Sequence, residues 1–493
     1  MTADILALAA SSNPDGVAWR NLDDDTELTL GQWNDAADRL ARGLSRRGVD
    51  SGDRVVIQIG PDDPFPWLVT YVGVHRARAT AVPINTRLAP PELSAVIRHA
   101  EAALVLEAGA GPRVAEEPGP EHVGWNVLLD DDPSPLRPAP ADAADTPDPL
   151  DLMYTSGTTG VPKAVVARAG IGAPPGAPSE RPARWNGLGF LTCSPFATTS
   201  GILLVDGPLR SGMSGWYLPR FDAGRWLELV ERHRPIVAFL VPAMAQLLVA
   251  HPRFVDADLS SLAALTFGGA PMARATLLRL TERLPGADVL VGYGLTEFGA
   301  VSRTPSGDAS RHLGSVGRPL EGVEVRVIGR DGAEARPGLV GEVTVRGLWP
   351  ARRYYKDDEA TEQTWRDGWL HTGDLGHLDA DGFLWITGRA KDVIIRGGHN
   401  IAPRDVEEVL LSHPDVVDAV VVGVPHPVLG EDVATWVVLR ETSVATDSDL
   451  RSFMLERLAD YKVPRAVHMV DELPRNASGK VVRADLPGLA PSP

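Results

Sequence analysis

The chain has 493 residues, more than a single hydrophobic core normally serves, so two or more domains are expected. Hydrophobic residues make up 44% of the sequence and charged residues 23%, which is ordinary for a globular protein. The net charge of −17 argues against a general binder of nucleic acid or anionic membranes, since these need a basic surface. It still allows a local basic pocket for a phosphate compound.

A single cysteine, Cys193, excludes an intrachain disulfide and is most simply a buried small side chain. The stretch 1–16 lacks the basic region and the long apolar core of a signal sequence. No run reaches the roughly 18 apolar residues that a membrane-spanning helix needs. We therefore expect a cytoplasmic protein, either a monomer or a homodimer.

Helices and strands alternate over the first hundred residues. Thr29 and Gln32 form a helix-opening capping pair, and apolar residues at helical spacing follow it. A turn and a buried strand are predicted at 52–60, a second helix at 67–77, and a short strand with an exit loop at 80–88. This alternation predicts parallel βαβ units.

A glycine-rich and hydroxyl-rich stretch, YTSGTTGVPKAV, occupies residues 154–165. Glycine lets the backbone curl tightly, and successive N–H groups in such a curl form an anion site to which Lys163 adds a positive charge. Pro162 before the lysine and Ala164 after it exclude a Walker A motif. We interpret the stretch as a phosphate-binding loop, and a flexible surface turn is the alternative that the loop alone leaves open.

The alternation of helices and strands continues further along the chain, with elements predicted at 225–233, 237–241 and 243–250. Strands at 265–272 and 289–299 each run into a glycine turn, and the second turn carries Thr296 and Glu297. Ligands bind beyond the carboxyl ends of parallel strands. One shared site is therefore expected at these strand ends and the loop at 154–165.

The pattern changes after Pro319. Apolar residues with a period of two predict antiparallel strands at 323–328, 341–347 and 382–388. Further elements, which form a small α+β domain, are predicted at 393–396, near Pro403, and at 416–423, 433–439 and 447–458. Two stretches rich in proline, glycine and alanine, 108–149 and 170–182, predict solvated connecting loops.

Four motifs stand in a fixed order: YTSGTTGVPK at 154–163, GYGLTE at 292–297, WLHTGDLGHLDADGFLWITGRAKD at 369–392 and PRNASGK at 474–480. Together they resemble the adenylate-forming superfamily of acyl-CoA synthetases, adenylation domains and beetle luciferases. The resemblance extends over nearly the whole chain.

The resemblance implies an α/β fold with two domains. A large N-terminal domain, 1–390, would combine parallel and mixed sheets with helices and a small antiparallel β subdomain. A small mobile C-terminal α+β domain, 391–493, would follow a hinge near Lys391. Gly398 matches the glycine beside the family's pantetheine tunnel.

The resemblance also implies an AMP-forming acid–thiol ligase. Such an enzyme converts a carboxylic acid and ATP into an acyl-adenylate and pyrophosphate, and then transfers the acyl group to a thiol. ATP, Mg²⁺ and CoA are the expected cofactors, with carrier-protein phosphopantetheine as the alternative to CoA.

Three residues are expected to carry the chemistry. Lys480 resembles the family's adenylation lysine, which bridges the carboxylate and the α-phosphate. Thr296 would contact the α-phosphate, and Glu297 would bind Mg²⁺. The other implied nucleotide-binding residues are Thr155, Ser156, Gly157, Thr158, Thr159, Gly160 and Lys163 for pyrophosphate, Gly268, Gly269, Ala270, Tyr293 and Gly294 along the nucleotide, and Asp374 and Arg389 at the ribose.

The sequence departs from the family pattern near the acid-binding region. Thr198 stands where a histidine is usual, and Ala197 replaces the aspartate of enzymes that activate α-amino acids, which argues against an ordinary α-amino acid. The expected acyl pocket is lined by Thr198, Thr199, Phe239, Val241, Phe267, Gly268, Gly292 and Val301. Its mainly apolar wall suits an aryl, aryl-acrylic or medium-chain acyl acid.

Three alternatives to a CoA ligase stay open. The first is a stand-alone adenylating enzyme that loads a carrier protein, and the second transfers the acyl group to a non-thiol acceptor such as an amine or nitrite. The third is a non-catalytic nucleotide-binding relative. Retention of a complete set of charged site residues argues against this last alternative; they are Lys163, Glu297, Asp374, Arg389 and Lys480.

Overall fold

The computed structural model describes residues 2–108, 119–129, 151–155, 163–167, 184–308, 310–347, 351–476 and 479–488. Its α-helices, numbered α1 to α11 in chain order, are Thr2–Ser12, Leu30–Arg46, Pro64–Arg76, Pro90–Ala100, Thr199–Arg210, Ala223–His233, Pro242–Ala250, Arg274–Arg283, Asp358–Thr364, Pro403–Leu411 and Asp447–Leu455. Among these described helices, none is long and apolar enough to cross a membrane.

The β-strands of the same residues are numbered β1 to β26. They are Val17–Asn21, Glu27–Thr29, Arg54–Ile59, Thr80–Pro83, Ala102–Ala108, Glu121–Gly124, Asp151–Thr155, Lys163–Ala167, Gly189–Thr192, Ser214–Tyr217, Val237–Leu240, Ala264–Phe267, Asp288–Leu295, Gly299–Arg303, Arg318–Pro319, Val323–Ile328, Gly341–Gly347, Arg353–Tyr354, Trp365–Arg366, Trp369–Leu378, Leu384–Arg389, Ile394–Arg396, His399–Ile401, Val416–His426, Gly430–Leu439 and Ala466–Met469.

A seven-stranded sheet has the order β18-β8-β7-β4-β3-β5-β6. Its inner strands β3, β4, β5 and β7 pair in parallel, which confirms the predicted βαβ units. The predicted capping pair is also confirmed, because Thr29 Oγ1 accepts the Gln32 N–H while Gln32 Oε1 accepts the Thr29 N–H. This exchange satisfies two backbone donors at the start of α2.

A nine-stranded sheet has the order β15-β14-β13-β12-β11-β9-β10-β1-β2. Its central strands β9 to β13 pair with one another in parallel, and β14 pairs with β13 in the antiparallel direction. One hydrophobic core joins the two large sheets through the helices between them, since it contains Val55 of β3, Trp33 of α2 and Trp19 of β1. The second face of the nine-stranded sheet is covered by α6, α7 and α8.

The predicted antiparallel subdomain is confirmed as a sheet of order β16-β17-β20-β19 with β21 paired to β20. The α+β domain near the C-terminal end is also confirmed. Its sheet has the order β23-β22-β25-β24 with β26 beside β25, and α10 and α11 cover a core that includes Ile394, Val421 and Leu450.

The loop prediction for 108–149 was partly wrong. Residues 121–124 form the edge strand β6, parallel to β5, and a 3-10 turn follows at Trp125–Leu128. An edge strand needs few apolar residues, and in β6 only Val123 is buried, so its period-two pattern is too weak to detect. The predicted loop at 170–182 lies outside the described residues.

Candidate active site

The ends of several strands meet where the sequence predicts a site. Strand β7 ends at Thr155 and leads into the glycine-rich loop, of which Ser156, Gly157, Thr158, Thr159 and Gly160 lie outside the described residues. Strand β13 ends at Leu295 and leads into the turn that carries Thr296 and Glu297. The antiparallel subdomain contributes Asp374 and Arg389, and the C-terminal domain contributes Lys480.

The two arms of the glycine-rich loop form a β-hairpin. Thr155 of β7 stands directly opposite Lys163 of β8, and the Thr155 hydroxyl donates weakly to the Lys163 carbonyl at 3.4 Å. The Lys163 ammonium lies 5.5 Å from the centre of the Tyr354 ring, within cation–π range. This lysine is therefore anchored at the mouth of the loop.

The turn after β13 is held by three side chains. Thr296 Oγ1 lies 3.1 Å from Thr199 Oγ1, at hydrogen-bond distance, and Arg352 Nη1 donates to the Thr296 carbonyl at 2.8 Å. The Tyr354 hydroxyl donates to Glu297 Oε1 at 2.8 Å. This hydrogen bond orients the Glu297 carboxylate through one of its two oxygens.

A polar cluster surrounds Asp374. Its carboxylate accepts a hydrogen bond from the Tyr293 hydroxyl at 2.6 Å and pairs with Arg389 Nε at 2.8 Å. Asp374 and Arg389 stand opposite each other in the β20–β21 ladder, so the pair is set by strand register. Burial, together with the neighbouring Asp374 charge, raises the pKa of Tyr293 well above its ordinary value, so this phenol stays a donor.

Glycine is required at two of the predicted nucleotide positions. Gly269, in the turn between Gly268 and Ala270, has a φ of 88°, which side-chain-bearing residues rarely adopt. A Cβ on Gly294 would lie 2.5 Å from the Gly299 carbonyl oxygen. The close approach of β13 and β14 therefore depends on this glycine.

An apolar wall lies between α5 and the nine-stranded sheet. Leu204 of α5 packs against Phe239 and Val241, and partly buried Phe190 and Met244 border this group. Gly268 and Gly292 leave space beside the wall, and a Cβ on Gly268 would stand 3.6 Å from the Phe239 ring. Thr266 is in register with Phe239 and so belongs to the same face.

The structure does not bring every predicted pocket side chain to this wall. Phe267 is in register with Leu240, so its side chain lies on the opposite face of the sheet from Phe239. Phe267 and Val301 are both buried in the core beneath α6, α7 and α8. Only the backbone of Phe267 reaches the space beside Gly292.

Thr198, the residue that replaces the usual histidine, serves as a helix cap. Its hydroxyl accepts the Gly201 N–H at 2.9 Å at the start of α5 and donates to the Pro195 carbonyl at 3.1 Å. Gly201 allows this tight turn, because a Cβ there would collide with the Pro195 carbonyl at 2.1 Å. The neighbouring Thr199 points instead to Thr296.

Lys480 stands in a turn that its own backbone closes. The Asn476 N–H donates to the Lys480 carbonyl at 2.9 Å, and the Lys480 N–H donates to Asn476 Oδ1 at 3.0 Å. The side chain keeps solvent access, yet the surrounding protein and the nearby Arg389 charge lower the pKa of the ammonium. The charges of Asp374 and Glu297 oppose that shift.

The turn that carries Lys480 rests on the apolar wall. Gly479, with a φ of 79°, lies so close to Val241 that a Cβ would stand 2.9 Å from the valine Cγ2. Arg475 fixes the turn from inside the C-terminal domain, by donating to the Gly479 carbonyl and pairing with Asp418. The C-terminal domain thus places the turn that carries Lys480 beside the apolar wall.

Helix α10 makes the main polar contacts between the two domains. Arg404 donates to the backbone carbonyls of Ile386 and Met272, and Glu408 accepts the Arg274 N–H at 3.0 Å. Lys391 lies in the short 3-10 turn between β21 of the antiparallel subdomain and β22 of the α+β sheet. Gly398 has a φ of 87°, and a Cβ on it would meet no atom within 4 Å.

Sequence reasoning missed Arg352, Tyr354 and Glu408. Each acts through a residue far away in the chain, and Arg352 and Thr296 are separated by 56 positions. The stretch ARRYY at 351–355 carries a local signal, two cations beside two tyrosines, but no spacing links that signal to a distant turn.

Comparison with known proteins agrees with this geometry. A sequence model described as AMP-binding enzyme matches residues 6–355, and a second, described as AMP-binding enzyme C-terminal domain, matches residues 405–480. The chain belongs to the AMP-binding enzyme family. This membership confirms the predicted superfamily and kind of enzyme, an AMP-forming acid–thiol ligase of the acyl-CoA synthetase type.

Characterised relatives cover almost the whole chain. A feruloyl-CoA synthase from an Amycolatopsis species is 34% identical over 94% of this chain and 94% of its own length. A sulfoacetate–CoA ligase from Cupriavidus necator is 33% identical over 98% of this chain and 97% of its own. The AMP complex of O-succinylbenzoate coenzyme A synthetase from Bacillus subtilis matches with a TM-score of 0.81 and 27% identity, covering 98% of both chains. This structural match confirms the predicted fold class.

Proposed function

We propose that this AMP-forming ligase activates an aryl, aryl-acrylic or medium-chain carboxylic acid with ATP and transfers the acyl group to CoA. The observation that carries the proposal is the position of the turn that carries Lys480. Gly479 of this turn lies against Val241 of the apolar wall, where a Cβ on the glycine would stand 2.9 Å from the valine Cγ2. Desolvation and the Arg389 charge lower the pKa of Lys480, and the charges of Asp374 and Glu297 oppose that shift. A cation at that position is suited to the charge that carboxylate and α-phosphate share during adenylation.

The nucleotide would lie along the residues that the strand ends gather. Asp374, oriented by Tyr293 and Arg389, offers carboxylate oxygens to the ribose hydroxyls. The turn at Gly268 and Gly269 leaves room for the adenine. Thr155 and Lys163 flank the loop that we assign to the pyrophosphate.

The residues present fit a magnesium ion that arrives with ATP. Among the described residues, no three histidine, cysteine or acidic side chains lie close enough together to hold a metal ion by themselves. Mg²⁺ with a nucleotide does not need such a group, because it ordinarily uses one or two carboxylates plus phosphate oxygens. Glu297 supplies one such carboxylate, which Tyr354 orients. The ion would supply neutralisation of the phosphate charge.

In the first half-reaction a carboxylate oxygen of the acid attacks the α-phosphorus. The bond from that phosphorus to pyrophosphate breaks, and the electron pair leaves with pyrophosphate. Lys480 holds the attacking carboxylate and the α-phosphate together, while Thr296 donates to the phosphate and Lys163 stabilises the leaving group. The product is the acyl-adenylate.

In the second half-reaction the thiol sulfur of CoA attacks the acyl carbon. The bond from the acyl carbon to AMP breaks, AMP takes the electron pair, and the thiol proton is released. We assign residues 1–390 and 391–493 to two domains that rotate about Lys391 between the two steps. Gly398, which is open in the present arrangement, would then line the path of the pantetheine arm.

The apolar wall supports the proposed class of acid. Its named side chains are leucine, phenylalanine, valine, methionine and threonine, with no charge among them. An aryl-acrylic acid, like the substrate that names the feruloyl-CoA synthase relative, suits such a wall. A short acid with a second anionic group, like the one that names the sulfoacetate–CoA ligase, would find no cationic partner among these wall side chains. We place the reaction in the cytoplasm.

Pyrophosphate release, measured against a panel of carboxylic acids with and without CoA, tests the proposal. The panel should contain benzoic, cinnamic, ferulic, octanoic and sulfoacetic acids. We expect release with aryl-acrylic or medium-chain acids, little with sulfoacetic acid, and AMP formation that rises with CoA. If the rate of AMP release does not depend on CoA but rises with a phosphopantetheinylated carrier protein or an amine, the acceptor is one of these alternatives and not CoA.

A further inference from the structure

The short segment 352–354 touches both halves of the nucleotide site. Strand β18 pairs with β8, whose first residue is Lys163, and both belong to the seven-stranded sheet. The turn with Thr296 and Glu297 follows β13 of the nine-stranded sheet. Residues 352–354 are therefore placed where the two sheets bring their ligand-binding turns together.

Tyr354 contacts one charged group from each half. Its hydroxyl donates to Glu297 Oε1 at 2.8 Å, and its ring faces the Lys163 ammonium at 5.5 Å. One side chain thus orients an acid and a base that are both assigned to phosphate chemistry.

Arg352 supports the same turn from its backbone side. Its guanidinium donates to the Thr296 carbonyl at 2.8 Å and lies next to Gly299, where a Cβ would stand 3.1 Å from Nη2. The charges of Asp151 and Glu297 act on this guanidinium and compensate part of its desolvation. The backbone carbonyl of Arg352 accepts the indole N–H of Trp365 at 2.9 Å, which fixes the segment itself.

We propose that Arg352 and Tyr354 are positioning residues, which hold the Glu297 carboxylate and the Lys163 ammonium in the geometry that receives magnesium and the phosphates of ATP. The proposal rests on the proposed function, since it needs ATP as the ligand. Without these contacts Glu297 and Lys163 would sample many rotamers, and binding would cost the entropy of fixing them.

Two substitutions separate the contacts of Tyr354. Tyr354→Phe removes the hydroxyl that holds Glu297 and keeps the ring that faces Lys163. Tyr354→Leu removes both. Tyr355→Phe is the matched control, because Tyr355 is adjacent but its ring lies against His99 and Lys356, away from the metal turn.

Calorimetric titration of ATP, with no carboxylic acid present so that nothing turns over, measures the effect over a range of Mg²⁺ concentrations. We expect Tyr354→Phe to need about tenfold more Mg²⁺ for half-maximal strengthening of ATP binding, since a hydrogen bond to a charged group is lost. ATP affinity without Mg²⁺ should stay as in the wild type. Tyr355→Phe should behave as the wild type throughout.

The ring contact is tested by titrating pyrophosphate without metal. We expect Tyr354→Leu to bind it about 2–5-fold more weakly than Tyr354→Phe, because only the leucine variant loses the cation–π contact. Arg352→Met should shift the Mg²⁺ requirement in the same direction as Tyr354→Phe, and Arg352→Lys should recover part of it. Thermal melting without ligand checks that each variant is folded.

A Mg²⁺ requirement that is unchanged or lower in folded Tyr354→Phe would overturn the proposal. The Tyr354 hydroxyl would then either have no effect on Mg²⁺ binding or compete with Mg²⁺ for Glu297. Equal pyrophosphate affinity of the leucine and phenylalanine variants would overturn the role assigned to the ring. In both cases a wild type that binds ATP in a Mg²⁺-dependent way keeps the proposed function intact. A wild type whose ATP affinity ignores Mg²⁺ would overturn both.

Discussion

The Thr198 hydroxyl has a structural role at a position where the sequence predicts a pocket residue. It accepts the Gly201 N–H at the start of α5 and donates to the Pro195 carbonyl. We expect Thr198→Ala to lower the free energy of unfolding by about 1 kcal/mol, as for other helix caps, and to leave the KM for the acid nearly unchanged. Urea unfolding and acid-dependent kinetics measure the two effects. Thr198→Ser should keep the stability of the wild type. A change in the KM of Thr198→Ala without a loss of stability would show instead that Thr198 contacts the acid.

Lys480 must carry a proton to attract carboxylate and phosphate. Because its partly desolvated position lowers its pKa, the neutral form should appear at a lower pH than for an ordinary lysine. We expect kcat/KM for ATP in the adenylation reaction to fall on the alkaline side, since this parameter reports the free enzyme. Lys480→Arg should move that fall to higher pH, even if it lowers the rate. An alkaline limb that does not move in Lys480→Arg would belong to another group.

At the scale of elements, α10 is both part of the small-domain core and the contact with the large domain. Val406 and Leu410 are buried in that core, while Glu408 accepts the N–H of Arg274 at the start of α8. Helix α8 begins after Ala273, which offers no capping side chain, so Glu408 supplies the cap from the other domain. This cap exists only while the small domain is docked as described.

We expect Glu408→Ala to slow adenylation about 3–10-fold, because a lost cap of about 1 kcal/mol disfavours the docked arrangement. Thioester formation from supplied acyl-adenylate and CoA should not be slowed, since we assign it to the rotated arrangement. Both half-reactions are measured separately by rapid quench. Glu456→Ala, at an exposed glutamate beyond α11, is the control. Equal slowing of both half-reactions would contradict the role of Glu408 in holding the docked arrangement.

Glu407, on the same helix, is a buried acid that costs stability when charged. Burial raises its pKa to about 7, although it accepts the Val421 N–H at 3.0 Å. The native pKa lies above the unfolded value. The stabilisation from its protonated form is therefore complete below the unfolded pKa and is lost as pH rises through about 7. We expect Glu407→Gln, which keeps the acceptor, to be more stable than the wild type by about 3 kcal/mol at alkaline pH, because the pKa rises from 4.5 to about 7.

Urea unfolding of both proteins near pH 5 and near pH 8 measures this difference. The advantage of Glu407→Gln should shrink towards zero at the acidic end, where the wild-type carboxyl is protonated as well. A glutamine variant that is less stable than the wild type at alkaline pH would show that a charged Glu407 is stabilising, through Arg404 or Arg483.

The sequence predicted elements better than the contacts between them. Pro403 and the spacing of Val406 and Leu410 predicted α10, because a local pattern and a buried face suffice for a helix. Nothing local predicted that Arg404 would bind the Met272 carbonyl, 132 positions away. For a related reason, the sequence could not show that the Phe267 side chain lies away from the predicted pocket. An alternating pattern shows that a strand has two faces, but only the register of Phe267 with Leu240 shows which face this side chain occupies.

At the scale of the whole molecule, the proposed site takes its residues from two domains. Thr296, Glu297, Asp374 and Arg389 come from the large domain, whose motifs could be recognised in the sequence. Lys480 comes from the small one, and its distance from these residues depends on how α10 docks. Motifs in a fixed order predicted these residues as one site, whereas the docking of α10 could be seen only in the folded chain.

The central claim is that Lys480 activates the carboxylate for attack on ATP. Carboxylate-dependent ATP–pyrophosphate exchange in wild type and Lys480→Ala, with the best acid of the panel, tests it most directly. The account predicts that Lys480→Ala loses exchange by about 10²-fold or more, as when a charge-stabilising donor is removed, while it still converts supplied acyl-adenylate and CoA into the thioester. Exchange at the wild-type rate in Lys480→Ala would contradict the account.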